Sequence, residues 1–208
     1  MKGIFITFEG PDGSGKTTQM GLLARHLGLR GLRVLCTREP GGTPMAEAIR
    51  QLLLSSWPEQ VLGITEVFLY AASRAQHVRG KILPALEAGR VVLSDRFVDS
   101  SLAYQGFGRG LDPELVRQVN DLATGGLTPH LTLLLDLPPE EGLRRSRGEG
   151  RHGDPDRFEQ EDLDFHRRVR EGYLELARRE PGRFKIIDAT GPQDEVFRQV
   201  WEAVEPLL

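Results

Sequence analysis

The sequence predicts a three-layer α/β/α domain around a five-stranded parallel sheet. Three observations carry this. Five short β-rich runs recur along the chain. A helical pattern separates each from the next, which implies parallel pairing through right-handed crossovers. Several of the runs are almost continuously apolar, as strands are when helices cover both faces of a sheet.

The first run, 3-GIFITFE-9, leads into a loop with three glycines and then a helix over 16–30, patterned by Met20, Leu22, Leu23 and Leu27. Gly10, Gly15, Lys16 and Thr17 fit the spacing G-x-x-x-x-G-K-[ST]. Glycine lets the backbone wrap an anion with its N–H groups inward, and the helix offers its positive end to the same anion. The phosphate-binding residues are therefore Gly10, Pro11, Asp12, Gly13, Ser14, Gly15, Lys16, Thr17 and Thr18. Lys16, read as an exposed loop lysine, brings a compact charge to the outer phosphates, and the Thr17 hydroxyl is a magnesium ligand. The chain binds a nucleoside triphosphate on this reading.

The second run, 32-LRVLCT-37, carries the single cysteine, Cys36, read as a small core residue. One cysteine excludes an internal disulfide and a cysteine zinc cluster, and suits a reducing cytoplasm. The run ends in 37-TREPGGT-43. Pro40, Gly41 and Gly42 force a turn, but a plain turn leaves the opposite charges of Arg38 and Glu39 unexplained. Helices are expected over 43–54, 64–77 and 79–88. On the second of these, Tyr70 and Arg74 are four apart and share a face. A ring and a guanidinium placed so can receive a planar base. A core tyrosine with a surface arginine fits the helix equally well.

The third run, 90-RVVLSD-95, ends on Asp95 and Arg96 and continues as 94-SDRFVDSSLAYQGFGRG-110. Ligands of an open parallel sheet bind at the carboxyl ends of its strands. Asp95 is placed there to reach magnesium and Arg96 to take a phosphate, the alternative being a buried Asp95–Arg96 pair. A helix follows over 112–124. The fourth run, 131-LTLLLDL-137, carries Asp136, either a second metal ligand or a cap for the helix over 139–147. The segment 146-SRGEGRHGDPDRFEQED-162 almost lacks apolar residues, so it is expected as a mobile surface loop. A disordered insertion and a lid over phosphates are both open readings. A helix over 161–179, a fifth run 184-FKIID-188 and a helix over 192–206 complete the chain.

Bulk properties set limits. The formal net charge of -3 gives no basic field to hold nucleic acid or an anionic membrane. No segment approaches the ~18 apolar residues of a membrane span. No repeat or linker marks a second domain, so residues 1–208 are read as one.

Taken together, FEGPDGSGKTTQ, TREPGGT, AASR, SDRFVDSSLAYQG and DRFEQE, in this order, resemble the thymidylate kinases in their bacterial form, a family of P-loop nucleoside-monophosphate kinases. The resemblance covers essentially the whole chain. It implies transfer of the γ-phosphoryl of ATP to dTMP with Mg2+ on Thr17 and Asp95, in a cytoplasmic homodimer. It implies that Asp12 faces the dTMP sugar and phosphate, that Tyr70 stacks on thymine and that Arg74 hydrogen-bonds the base. Arg50 and Arg96 would hold the monophosphate, Ser101 and Gln105 would complete the base pocket, and Tyr104 would sit against the 2' carbon. Arg145 would lie along adenine. Eukaryotic members carry an arginine in the phosphate loop at the position of Gly13. Here the cation would come from the lid, about 144–160, through Arg147, Arg151 or Arg157. Arg157 has a second reading, as a partner of Asp154 or Glu159. The role of Glu9 is open.

Two rival functions compete with this reading. A kinase for another pyrimidine nucleotide has the same parts. A nucleotide-regulated switch is the other rival, and the sequence has no N-K-x-D guanine-reading motif. Apolar residues on the 64–77 and 112–124 helices (Val67, Phe68, Leu69, Leu115, Val119, Leu122) are expected to exceed one core's needs and to form the dimer interface.

Overall fold

All five expected strands form: β1 (Ile4–Glu9), β2 (Val34–Arg38), β3 (Val91–Asp95), β4 (Leu131–Asp136) and β5 (Phe184–Asp188). They make one parallel sheet in the order β2-β3-β1-β4-β5. The structure is a computed structural model and describes residues 3–146 and 156–208.

The register puts Phe5 beside Val92 and Ile6 beside Leu93. Neighbours in register share a face, so alternate residues feed two cores. On one face Ile6, Phe8, Leu93, Leu133 and Leu135 pack against α1 (Lys16–Leu29) and α9 (Gln193–Val204) through Leu23, Leu27, Val196 and Val200. Leu23 and Leu27 are fully buried, and each such burial stabilises by roughly 1.5–3 kcal/mol. The opposite face is covered in two parts. Phe5 and Val92 meet Val78, Ile82 and Ala85, from a π-helical turn (Val78–Ile82) and α4 (Leu83–Glu87). Leu134 and Phe184 meet α3 (Gly63–His77), α6 (Pro113–Thr124) and α8 (Leu163–Arg179), through Val67, Val116, Phe165 and Tyr173.

Helix starts follow local chemistry. Thr43 Oγ1 accepts from Ala46 N at 3.3 Å to open α2 (Pro44–Leu54), with Pro44 at the first position. Asp162 accepts from Phe165 N at 2.7 Å to open α8.

Three expectations change here. Cys36 is exposed, not a core residue, because β2 is an edge strand of the sheet. The stretch after β3, read only as a strand end, is helical as α5 (Val98–Ser101) and a π-helical turn (Leu102–Gly108). Residues 99–106 are all buried, so no polar face gave that stretch a helical period. Asp136 is engaged in an ion pair and does not cap the helix that follows. Both its oxygens accept from Arg170 of α8, at 2.7 and 2.8 Å, while α7 (Pro139–Ser146) follows β4.

Candidate active site

The glycine-rich loop is pinned by a backbone-to-backbone contact. Gly13 has φ 75°, and a Cβ there would stand 2.2 Å from the carbonyl oxygen of Gly142 in α7. A Cβ on Gly142 would in turn meet Asp12 O at 2.5 Å. Only glycine on both sides permits this approach. Gly15, at φ 87°, then sets the left-handed turn that starts α1.

Lys16 is buried, contrary to its reading as an exposed lysine. Its Nζ donates to Pro11 O at 2.8 Å and Ser14 Oγ at 3.4 Å, so the side chain folds back over the loop. Burial, and then repulsion from Arg96, lowers its pKa to about 8. Thr17 Oγ1 donates to Asp95 Oδ2 at 2.5 Å, joining the start of α1 to the end of β3.

Arg96 does not pair with Asp95. It has φ 71°, a left-handed conformation that costs a non-glycine residue on the order of 1–3 kcal/mol. The strained backbone swings the guanidinium into the phosphate loop. Nη2 donates to Asp12 Oδ1 at 2.7 Å and Tyr104 OH at 3.2 Å. Nη1 donates to Gly10 O, Ser100 Oγ and Tyr173 OH at 3.0–3.1 Å. Burial alone would raise the Asp12 carboxyl, but Arg96 and Lys16 hold it down at about 2. Tyr104 OH donates to Asp12 Oδ2 at 3.1 Å.

Behind Arg96 lies Glu9, fully buried at the end of β1. It accepts from Phe97 N at 2.7 Å, Ser100 Oγ at 2.6 Å and Tyr173 OH at 3.1 Å. Ser100 and Tyr173 thus pass hydrogen bonds from Arg96 on to Glu9. Burial, with repulsion from Asp99, pushes Glu9 up to about 7 against these bonds. The sequence had left Glu9 open and missed Tyr173, which comes from α8.

The Tyr70–Arg74 pair inverts the surface-arginine alternative. Arg74 is 1% exposed, whereas Tyr70 is half-buried. Arg74 donates to Glu39 Oε2 at 2.7 Å, Asn120 Oδ1 at 2.5 Å, and Phe97 O and Ser101 Oγ, both at 3.1 Å. These bonds use four of a guanidinium's five N–H groups. Glu39 also accepts or shares a proton with His77 Nδ1 at 3.0 Å, which answers why a charged pair precedes the Pro-Gly-Gly turn. Arg38 pairs with Glu47 at 2.9 Å.

Two cavities meet across these residues. The outer one, about 420 Å3, lies over Gly13, Gly15, Lys16, Thr17 and Thr18 and reaches Arg145. The inner slot, about 90 Å3, is walled by Tyr70, Arg74, Ser101, Tyr104 and Gln105. Asp12, Glu39, Arg50 and Arg96 line both. Arg50 Nη1 donates to Pro40 O at 3.1 Å, and Arg145 is held by Glu141 at 2.7 Å and Ala189 O at 3.0 Å.

Arg147 and Arg151 lie outside the described residues, as does Asp154. Arg157 is described and does not pair with Glu159. Its Nη1 bonds Glu66 Oε1, and Nε and Nη2 reach Leu53 O at 3.3 and 3.1 Å. Its neighbour Phe158 is buried and walls the inner slot together with Asp156. Sequence reading missed both slot residues, because the stretch looked too polar to bury anything.

The sequence pattern of the thymidylate kinase family matches residues 8–200. The chain belongs to the thymidylate kinase family. Among its relatives, the thymidylate kinase of Deinococcus radiodurans is 54% identical over 203 residues, covering 98% of this chain and 97% of that protein. The thymidylate kinase of Synechococcus sp. (strain JA-2-3B'a(2-13)) is 55% identical over 205 residues, covering 99% and 96%. The crystal structure of thymidylate kinase from Ehrlichia chaffeensis superposes over the whole of both chains with a TM-score of 0.78 at 34% identity. The thymidylate kinase fold is thus the five-stranded parallel sheet described above, with helices on both sides.

Proposed function

We propose that this thymidylate kinase family member transfers the γ-phosphoryl group of ATP to the 5'-phosphate of dTMP, giving dTDP and ADP, as a step toward dTTP. The observation that carries the reading is the sharing of Asp12, Arg50 and Arg96 between the two cavities. A triphosphate seated on the loop and a monophosphate entering from the inner slot would bring their phosphates together over these residues.

The attacking phosphate oxygen is an anion at neutral pH, so no general base is required. The protein's task is to hold two repelling phosphates in line and neutralise the charge that moves between them. Lys16 would turn its charge to the donor phosphates on this reading. Arg96, with help from Arg50, takes the acceptor phosphate. Tyr70, Arg74, Ser101 and Gln105 hold the base, Tyr104 the sugar, and Arg145 the adenine. For Arg147 and Arg151 the sequence supports the role of cations for the transferred group, since Gly13 supplies none.

Thr17 and Asp95 fit Mg2+. They offer two hard oxygen donors side by side at the edge of the phosphate cavity, and Mg2+ takes one or two protein ligands plus phosphate oxygens and water. Bound there, Mg2+ would neutralise phosphate charge.

The same proposal includes a cytoplasmic homodimer with α3 in the interface. Phe68 is 59% and Leu122 81% exposed, which supports an apolar contact there. Val67 is buried in the chain's own core and takes no part. No described helix is long and apolar enough to cross a membrane.

A coupled ADP-release assay with dTMP, dUMP, dCMP, dAMP and no acceptor tests the reaction. Turnover that depends on dTMP and prefers it is expected. Equal turnover without any acceptor, or preference for another nucleotide, would reject the reading.

A further inference from the structure

Glu66 is a fully buried carboxylate in the first turn of α3 that the reaction above does not use. Two arginines hold it: Arg157 Nη1 and Arg109 Nη2 both donate to Oε1, the latter at 3.1 Å. Its other oxygen, Oε2, accepts from Gln105 Nε2 at 3.0 Å. Gln105 is itself 1% exposed and walls the inner slot.

That contact determines how the amide of Gln105 is turned. An amide side chain carries donors on nitrogen and only acceptor capacity on oxygen, and an ionised carboxylate can only accept. The nitrogen must therefore face Glu66 and the oxygen must face away. Gln105 Oε1 is buried and has no hydrogen-bond partner among the described residues. Gln105 borders the inner slot, so a donor on a base that settles against this wall is a partner the oxygen lacks. Thymine and uracil bring a donor, the ring N3–H. Cytosine brings a lone pair at the same ring position, which an amide oxygen repels.

We propose that Glu66 is the positioning residue for acceptor choice: by locking the Gln105 amide with its oxygen toward the slot, it admits pyrimidines that carry a ring N–H and turns away those that do not. This rests on the reading of the inner slot as the acceptor site. Arg109 and Arg157 flank the carboxylate with two guanidinium groups in the core, and Arg109 is further paired with Glu161 at 2.6 Å. Glu66 never touches the nucleotide on this account; it acts only through Gln105.

The test is Glu66→Gln, with kcat/KM measured for dTMP, dUMP and dCMP and a thermal melt to check folding. A glutamine at this position can donate as well as accept, so the Gln105 amide becomes free to flip. The dTMP:dCMP ratio is expected to fall at least ~10-fold, with dUMP:dCMP falling in parallel and dTMP:dUMP unchanged. In a Gln105→Leu background the same Glu66→Gln change should leave the ratios where Gln105→Leu put them. Should Glu66→Gln not fold, Glu66→Met with Arg157→Met replaces the buried pair by apolar side chains, which cores often accept, and frees the same amide. An equal loss for all three acceptors, an intact dTMP:dCMP ratio, or a further effect of Glu66→Gln in the Gln105→Leu background overturns the proposal. If the wild-type protein turns over none of the three pyrimidine nucleotides, the acceptor-site reading fails first and this inference falls with it.

Discussion

Arg96 Nη2 stands 2.7 Å from Asp12 Oδ1, a contact that joins the end of β3 to the phosphate loop across 84 positions of sequence. The guanidinium's fork is spread over five acceptors, and an ammonium cannot reproduce that plane. Arg96→Lys is expected to keep the charge and lower kcat/KM for dTMP by about 10²-fold, roughly 2.7 kcal/mol. Steady-state kinetics with dTMP varied at saturating ATP measures this. A variant retaining a large fraction of wild-type efficiency would mean that Arg96 holds the loop and not the acceptor.

Glu9 makes stability depend on pH. Its folded pKa of about 7 lies above the ordinary 4.5, so between these values the folded protein keeps a proton that the unfolded chain has released. The cost is absent below pH 4.5 and fully present above pH 7, where it amounts to roughly 3 kcal/mol. Stability from this group therefore falls as pH rises. Urea unfolding of wild type and Glu9→Gln at several pH values across this window is the check. The variant should gain on wild type as pH rises; a gap that stays constant with pH refutes the assignment.

Gly13 cannot simply be exchanged for the loop arginine that eukaryotic relatives are expected to carry. The residue has a left-handed φ and a neighbouring carbonyl 2.2 Å from where Cβ would sit. Gly13→Ala and Gly13→Arg should both lower the melting temperature, by roughly 5 °C or more, since α7 must shift to make room. Calorimetry on the two variants decides it, and unchanged melting would show that the α7 contact yields freely.

Phe68 tests assembly. The dimer proposal predicts that wild type scatters light at twice the 23.2 kDa chain mass, and that Phe68→Asp scatters as one chain. A charge replacing an exposed ring leaves the monomer's own core intact, because Phe68 is 59% exposed. A wild-type monomer at micromolar concentration with full activity would contradict the interface.

What the sequence determined by itself was whatever depends on near neighbours. The phosphate loop from Gly10 to Thr18 is one contiguous turn whose glycines and Lys16 are legible as a spacing. The amphipathic helices were legible because half-buried helices print their period on the chain, and the strands because buried parallel strands read as short continuous apolar runs. Where burial is complete, as over 99–106, the period vanishes, and the helical stretch that carries Ser101, Tyr104 and Gln105 went unseen. Only the tertiary structure decided the partners of the charges. Arg96 chose Asp12 over adjacent Asp95, Glu9 found Tyr173 across 164 positions, and Arg157 bypassed Glu159 for Glu66. Asp136 went to Arg170 and Arg74 into the core, while Cys36 fell on an edge strand. The physical reason is shared by all of them. A buried charge must find a counter-charge or hydrogen bonds, and which group stands within about 3 Å of it follows from strand order and helix packing, not from chain neighbours.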